Sequence, residues 1–419
     1  MRLRPRHPGI VLTVLAFASS GTAGAQEGWQ FGPSLELRRA DSGFKVRVNS
    51  YAQGDVRSRR NFTDGDDEEP GLNGTETLLR RARIGLEGEW RRLSFEAMVD
   101  PSDEGEKLKD LYAELRVAKA LRIRGGHFKV PVSPEFLTSI AKTDFIERSM
   151  LATHLAPARD WGVMASGAPF KRFDYMVGIF EGDGRTQRAR ADRTVAARLE
   201  YGALKSLDLG ASFSQGDVTA DADGEGDVGP VPRGLPGIGA SQFRFYDPHF
   251  VDGRRRRLGA DARWTRGPVS VRGEWLRATE ERRGQGPVFE DLPGETGQGW
   301  VASATWLVTG DKKSRTIRPA RPLSKGGPGA LEIGARYESL RFDDDGDGAG
   351  FAGVGNRARN IRAAADRTFT GGLSWWPESW VRLVGNVVLE HFEDALLAPE
   401  PGRQGQYATI LGRIQVQLP

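Results

Sequence analysis

Arginine and lysine recur at alternate positions in many short segments of this 419-residue chain, and that spacing decides what chemistry they can do. Lys45 and Arg47, Arg81 and Arg83, Arg122 and Arg124, then Arg198, Arg272, Arg336, Arg382 and Arg413 each fall on the polar side of an alternating segment. A guanidinium is planar and always charged, so it can donate two parallel hydrogen bonds to an oxyanion. The same faces carry Glu87, Glu96, Asp110, Glu114, Glu200, Asp261, Glu274, Glu332, Glu338 and Glu390, which brings the two signs close to balance. Opposite charges on neighbouring strands pair readily. Two readings therefore stand together: a wall that recognises oxyanions, and a wall of mutually paired charges with no selectivity.

A second basic group sits in the stretch from Val130 to Asp160, which breaks the alternation with Pro131 and Pro134 and reads as a short helix or compact loop around Phe136 to Met150. It holds or flanks Lys129, Lys142, Arg148 and Arg159. Folded inward, those cations would steer anions by their local field. Alternatively, the neighbours Glu147–Arg148 and Arg159–Asp160 pair and simply anchor the stretch.

Other chemistry is thin. With no cysteine, thiolate catalysis, disulfides and Cys-based zinc sites are excluded. Past the N-terminal region the histidines are His127, His154, His249 and His391, none in an HExxH or a tight pair, and no Gly-x-Ser-x-Gly or phosphate-loop motif has a suitable setting. Asp343 to Gly348 partly matches a calcium loop, but its twelfth position is Val354 rather than the required Glu. That run and Asp64 to Glu69 read as solvated loops. No metal or cofactor is expected.

The elements that must position these side chains are strands. Ala82, Ile84, Leu86, Gly88 and Trp90 share a face opposite Arg81, Arg83, Glu87 and Glu89, and Leu331, Ile333, Ala335 and Tyr337 oppose Glu332, Arg336 and Glu338. Period two with one apolar and one polar face means strand. This reading places strands near 43–51, 78–90, 93–100, 108–118, 121–129, 159–168, 173–181, 192–202, 206–215, 254–265, 268–280, 298–310, 329–342, 368–377, 380–391 and 405–417. Short breaks at 91–92, 119–120, 169–172, 203–205, 266–267 and 378–379 alternate with long polar stretches at 52–77, 216–253, 281–297, 311–328, 343–367 and 392–404. An even number of strands with short turns at one end and long loops at the other is the pattern of a closed antiparallel transmembrane β-barrel of about sixteen strands, with both termini on one side. Trp90, Trp161, Trp264, Trp275, Trp375, Trp376 and Trp380 cluster at strand ends, as interfacial girdles require. The basic runs Gly184 to Arg190 and Arg254 to Arg257 read as solvated faces, with anionic lipid headgroups as one possible contact.

The N-terminus assigns the compartment. Arg2, Arg4 and Arg6, the apolar run Gly9 to Ala18 and the small residues Ala23-Gly24-Ala25 form a secretory signal over 1–25, with cleavage expected after Ala25; 26–42 is an N-terminal segment and 43–419 the barrel. Removing three Arg from 60 basic residues leaves 57 against 56 acids, a net charge of +1. Nucleic-acid binding thereby loses its usual basic footprint.

Several segments resemble the phosphate-selective porins O and P. Ile123 to Arg148, reading IRGGHFKVPVSPEFLTSIAKTDFIER, is similar to that family's strand running into a constriction loop; Gly267 to Trp275, Gly299 to Gly310, Gly329 to Tyr337 and Val381 to Asn386 resemble further family strands in order. The resemblance implies an outer-membrane porin, trimeric, with the loop over 130–160 folded inward after the fifth strand to narrow the channel. It also implies passive diffusion of small hydrophilic solutes, with anions such as phosphate favoured and no catalysis. Lys129, Lys142, Arg148 and Arg159, with Arg122, Arg124, Arg81 and Arg83 on the wall, are then the expected solute contacts, Lys129 and Lys142 foremost. The chain departs from the outer-membrane pattern in ending Val416-Gln417-Leu418-Pro419, without a terminal aromatic. Rival expectations are an outer-membrane lipid hydrolase built as a barrel, which needs a Ser within reach of His154 or His391, and a barrel that binds through its surface loops.

Overall fold

The computed structural model describes residues 29–32, 35–39, 42–61, 74–182, 193–219, 232–286, 288–344, 361, 363–394 and 405–418. The signal segment, Asp64 to Glu69, the basic run at 184–190 and Val354 lie outside the described residues.

Sixteen strands in chain order make the wall. They are β1 Phe44–Asn61, β2 Gly74–Trp90, β3 Leu93–Val99, β4 Leu108–Ala118, β5 Leu121–Lys129, β6 Arg159–Phe170, β7 Phe173–Phe180 and β8 Thr194–Gly202. Then come β9 Leu207–Val218, β10 Gly253–Arg266, β11 Val269–Arg282, β12 Leu292–Leu307, β13 Ala330–Asp344, β14 Ala364–Glu378, β15 Val381–Asp394 and β16 Gly405–Gln417. Each pairs antiparallel with the next, and β16 pairs with β1 from Tyr407↔Asn61 to Gln417↔Tyr51, so the sheet closes and leaves no edge in lipid. Below that seam an N-terminal hairpin, Trp29–Gly32 with Glu36–Arg39, covers the start of β1.

Burial is inverted relative to a water-soluble core. Ile84 is 56% and Val163 58% exposed on the outside, whereas Arg81 is 8% and Arg83 7% exposed on the inside. An apolar exterior around a charged interior is stable only when the exterior meets lipid. All sixteen expected strands are present, several of them longer than expected: β1 runs to Asn61 and β12 starts at Leu292, since polar residues continue an alternation whose inner face is polar anyway. Trp90, Trp161 and Trp380 are exposed at strand ends, whereas Trp275 is exposed in the middle of β11 and Trp376 turns inward beneath Arg382, whose guanidinium lies 4.7 Å from the ring centroid.

The long stretch expected at 311–328 lies with the short turns, because it joins the end of β12 to the start of β13, the end where Gly267 makes the β10–β11 turn at φ +58°. It bends under the lumen: Lys313 Nζ bonds Asp144 at 2.7 Å and also bonds Glu332. From the opposite end, a small inner hairpin, Gly237–Ile238 with Arg244–Tyr246, enters the barrel. Its Phe245 and Tyr246 pack with Phe342 and Phe392, Tyr246 stacking on Phe342 at 4.2 Å.

Candidate functional site

The stretch from Val130 to Ala158 does not form one helix around Phe136 to Met150. It is three short turns, at Pro134–Leu137, Ile140–Lys142 and Leu151–Leu155. Ser133 caps the first by accepting from Phe136 N at 3.2 Å, and Pro134 opens it, where its missing N–H costs nothing. Thr138 ends it in extended backbone.

Inward-facing wall side chains hold the backbone of this loop. Arg382 donates to the carbonyls of Thr143 and Asp144 at 2.7 and 2.8 Å, Arg413 to Ile146 at 2.6 Å, Arg336 to Glu147 at 2.9 Å and Arg257 to Leu155 at 2.7 Å. Asn386 accepts from Ile146 N at 2.8 Å and Glu338 from Met150 N at 2.6 Å. These partners lie on β10, β13, β15 and β16, so the loop after β5 crosses the lumen to the far wall. Glycines leave it sockets there: a Cβ on Gly299 would stand 2.9 Å from Leu151 Cδ1, and one on Gly372 3.0 Å from Phe145 Cε1. Backbone carbonyls buried in the lumen need donors, and the wall arginines supply them.

The expected cations fall into two groups. Lys129, Arg148, Arg159, Arg81 and Arg83 converge on one side of the loop with their donors already engaged. Lys129 Nζ donates to the Leu137 and Thr138 carbonyls at 2.9 and 3.1 Å, and Arg148 to the Glu135, Phe136 and Thr138 carbonyls. Arg159 forks onto Asp110 at 3.2 and 3.0 Å, Arg83 bonds Asp100 at 3.0 Å and Arg81 bonds Gln53 at 3.1 Å. Burial lowers the Arg148 guanidinium to about 9, with the charge of Arg159 adding to the effect. Arg124 forks onto Glu114, and Arg122 lies 3.9 Å from the same carboxylate. The anchoring pairs differ from those of the sequence reading: Arg159 engages Asp110 rather than Asp160, and Glu147 engages arginines of the wall rather than Arg148.

Lys142 is different. It is exposed, and its ammonium has no hydrogen-bond or ion-pair partner among the described residues. It lines two spaces beneath the loop, about 760 and 580 Å³, together with Arg315 from the segment under the lumen, which is likewise exposed and unpaired. Every other basic residue lining these spaces has an acid or carbonyl partner, Arg272 with Asp144 and Arg263 with Asp208 among them. Arg315 escaped the sequence reading because it sits outside any strand. Arg255 and Arg257, read there as part of a solvated run, face the lumen and are 1% exposed; their signal was the alternation of 254–257, which continues β10. His154 points inside the barrel and contacts the Ile238 carbonyl at 2.7 Å, away from the lipid face that a hydrolase site would need.

A closed sixteen-strand ring, apolar outside and charged inside, with a loop laid across its lumen, is an outer-membrane diffusion pore of the porin class. The chain belongs to the phosphate-selective porin O and P family, whose profile matches residues 46–418. Among solved structures it is similar to an anion-selective porin from Comamonas acidovorans, with 12% identity, 89% of this chain and 99% of that one covered and a TM-score of 0.56. It is also similar to OmpT, an outer membrane protein of Vibrio cholerae, folded in vitro, with 10% identity, 89% and 97% covered and a TM-score of 0.53. At these identities the likeness is one of fold. No curated protein sequence matches the chain.

Proposed function

We propose that this porin carries small hydrophilic anions, inorganic phosphate among them, by passive diffusion and without a covalent step. The observation that carries the reading is the pair of unpartnered cations, Lys142 and Arg315, set where both spaces beneath the loop meet. A fixed, uncompensated charge at a narrow point raises the local concentration of counter-ions, while paired charges on the wall largely cancel. In this reading Lys142 and Arg315 touch the solute, Lys129 and Arg148 hold the loop in place, and Arg159, Arg81, Arg83, Arg122 and Arg124 shape the wall. The family and the anion-selective structural relative point the same way. Export with cleavage after Ala25 and assembly as a homotrimer belong to the same proposal. Reversal potentials of the purified protein in planar bilayers under a salt gradient test it: anion preference is expected, and cation preference overturns it.

A further inference from the structure

The lipid-facing side of the barrel is not uniform near its long-loop end. On β10, β11, β13 and β14 the outward residues run apolar from the short turns and then switch to arginine, at Arg256, Arg277, Arg341 and Arg367, each of them exposed. Between them β12 carries the exposed Gln298. Alternation fixes their direction: Leu276 and Ala278 on either side of Arg277 are fully buried, as are Leu340 and Phe342 beside Arg341. Strand pairing sets the four in one row. Arg277 faces Gln298, which on its other side faces Arg341. Arg256 faces Thr279, diagonal to Arg277, and Arg367 faces Ser339, diagonal to Arg341. On β6 and β7 the outward residues at this end are Trp161 and Ile179, so the row is a feature of β10 to β14 and not of the whole rim.

Height puts the row at the edge of the lipid. The four arginines lie eight to ten residues along their strands from Trp264, Val269, Leu331 and Trp375, the outward apolar residues nearest the short turns. At about 3.3 Å per residue and a tilt of about 40°, that is roughly 20–25 Å, the height of the apolar band of such a barrel. Just beneath the row runs an exposed aromatic arc: Trp275 faces Trp300, the Trp300 and Tyr337 rings are 5.4 Å apart, and Tyr337 faces Phe369. The cations above it are loosely held. Arg277 has no hydrogen-bond or ion-pair partner among the described residues. Arg256 donates to the neutral Gln215 at 2.9 Å, while Arg341 and Arg367 meet Asp343 and Glu393 at 2.7 and 2.9 Å in half-exposed pairs. Exposed pairs contribute little, so a phosphate, which a guanidinium grips with two parallel bonds, can displace the carboxylate.

We propose that this outer face of β10 to β14 docks the phosphorylated headgroups of outer-leaflet lipid, with phosphate oxygens on Arg277 and its three neighbours and acyl chains on the aromatic arc. Charge and height together select this occupant. An arginine at the edge of the apolar band meets headgroups, and the long loops mark this end as the outward one, where the leaflet of a bacterial outer membrane is phosphorylated glycolipid. The site is independent of the solute that the pore carries. Full-length protein in octyl glucoside tests it, with EDTA present so that Asp343 and Glu393 do not bridge to phosphate through a divalent cation. Diphosphorylated lipid A and zwitterionic phosphatidylcholine are titrated separately, and bound lipid is counted by native mass spectrometry. The proteins compared are the wild type, Arg277→Gln, the double variant Arg277→Gln with Arg341→Gln, and the lumen variant Arg315→Gln. The double variant is expected to bind lipid A at least ten-fold more weakly than wild type, with phosphatidylcholine binding unchanged and Arg315→Gln behaving as wild type. Equal lipid A affinity in wild type and double variant overturns the proposal. So does an equal loss of both lipids, which would leave an apolar surface without headgroup recognition. Should the double variant not fold, Arg277→Gln decides alone, since it breaks no hydrogen bond or ion pair: weaker lipid A binding supports the proposal and unchanged binding overturns it.

Discussion

Arg413 and Asp55 stand opposite each other across the seam where the last strand meets the first, and Nε and Nη2 of the arginine each donate to the carboxylate at 2.7 Å. The residues are 358 positions apart, and both side chains are almost wholly buried. The same guanidinium donates to the Ile146 carbonyl, so barrel closure and loop docking share one group.

Replacing one partner of a buried pair strands the other charge, a loss of about 3–5 kcal/mol. Arg413→Met is expected to destabilise the barrel by about that amount, read from urea unfolding in micelles. Adding Asp55→Leu should recover much of the loss, because two apolar groups of similar size leave no buried charge. A single-variant effect under about 1 kcal/mol would match an exposed pair and contradict the buried geometry.

The pH response follows from Glu147. Burial alone would raise its carboxyl, but the charges of Arg81, Arg80 and Arg413 outweigh burial and hold it at about 2, against an ordinary 4.5. A depressed carboxylate stabilises the folded form fully above its ordinary value, and that contribution is lost as pH falls toward the folded value. Loop docking is therefore expected to stay constant from neutral pH to about 5 and to loosen only between about 4.5 and 2. Single-channel current noise checks this: noise that rises already between pH 7 and 5 would exclude Glu147 as the anchor.

Selectivity should respond to the two unpaired cations far more than to the paired ones. Lys142→Glu and Arg315→Glu are each expected to shift the reversal potential toward cations, and the double variant further still. Lys129→Gln should instead raise current noise, since its ammonium holds the Leu137 and Thr138 carbonyls. Unchanged reversal potentials in the double variant would remove both residues from the path.

A side chain at Gly299 has no room. Its Cβ would lie 2.3 Å from the Ser339 carbonyl oxygen and 2.9 Å from Leu151, so both wall and loop must move. Gly299→Val is expected to cost about 1–3 kcal/mol as overpacking and to displace the loop. Faster hydrogen exchange at Leu151 to Leu155 is the readout, and unchanged exchange would mean the loop does not seat there.

Alternation made the barrel legible, because each wall residue has only two choices of face and the chain writes that choice at every position. Arg81, Arg83, Arg124 and Arg336 were placed on the lumen side for that reason alone. The same rule misplaced what departs from it. Arg80 reads as outward until a bulge in β2 turns it in, and Arg255 and Arg257 read as part of a solvated face, although the strand expected at 254–265 already holds them, because four consecutive basic residues hide which two face the lumen. The segment holding Lys313 and Arg315 read as an external loop, since nothing in its composition says at which end of a strand it emerges.

Sequence alone determined the strands, their count, the faces they turn to lipid and water, and the family. It also named Lys142, but set Lys129 beside it as an equal. Their separation is a matter of partners lying up to hundreds of residues away, and a hydrogen bond to a distant carbonyl leaves no local periodicity to read. Only the closed ring, by bringing β16 beside β1 and a loop against the far wall, decided which charges are spent on structure and which remain for a solute.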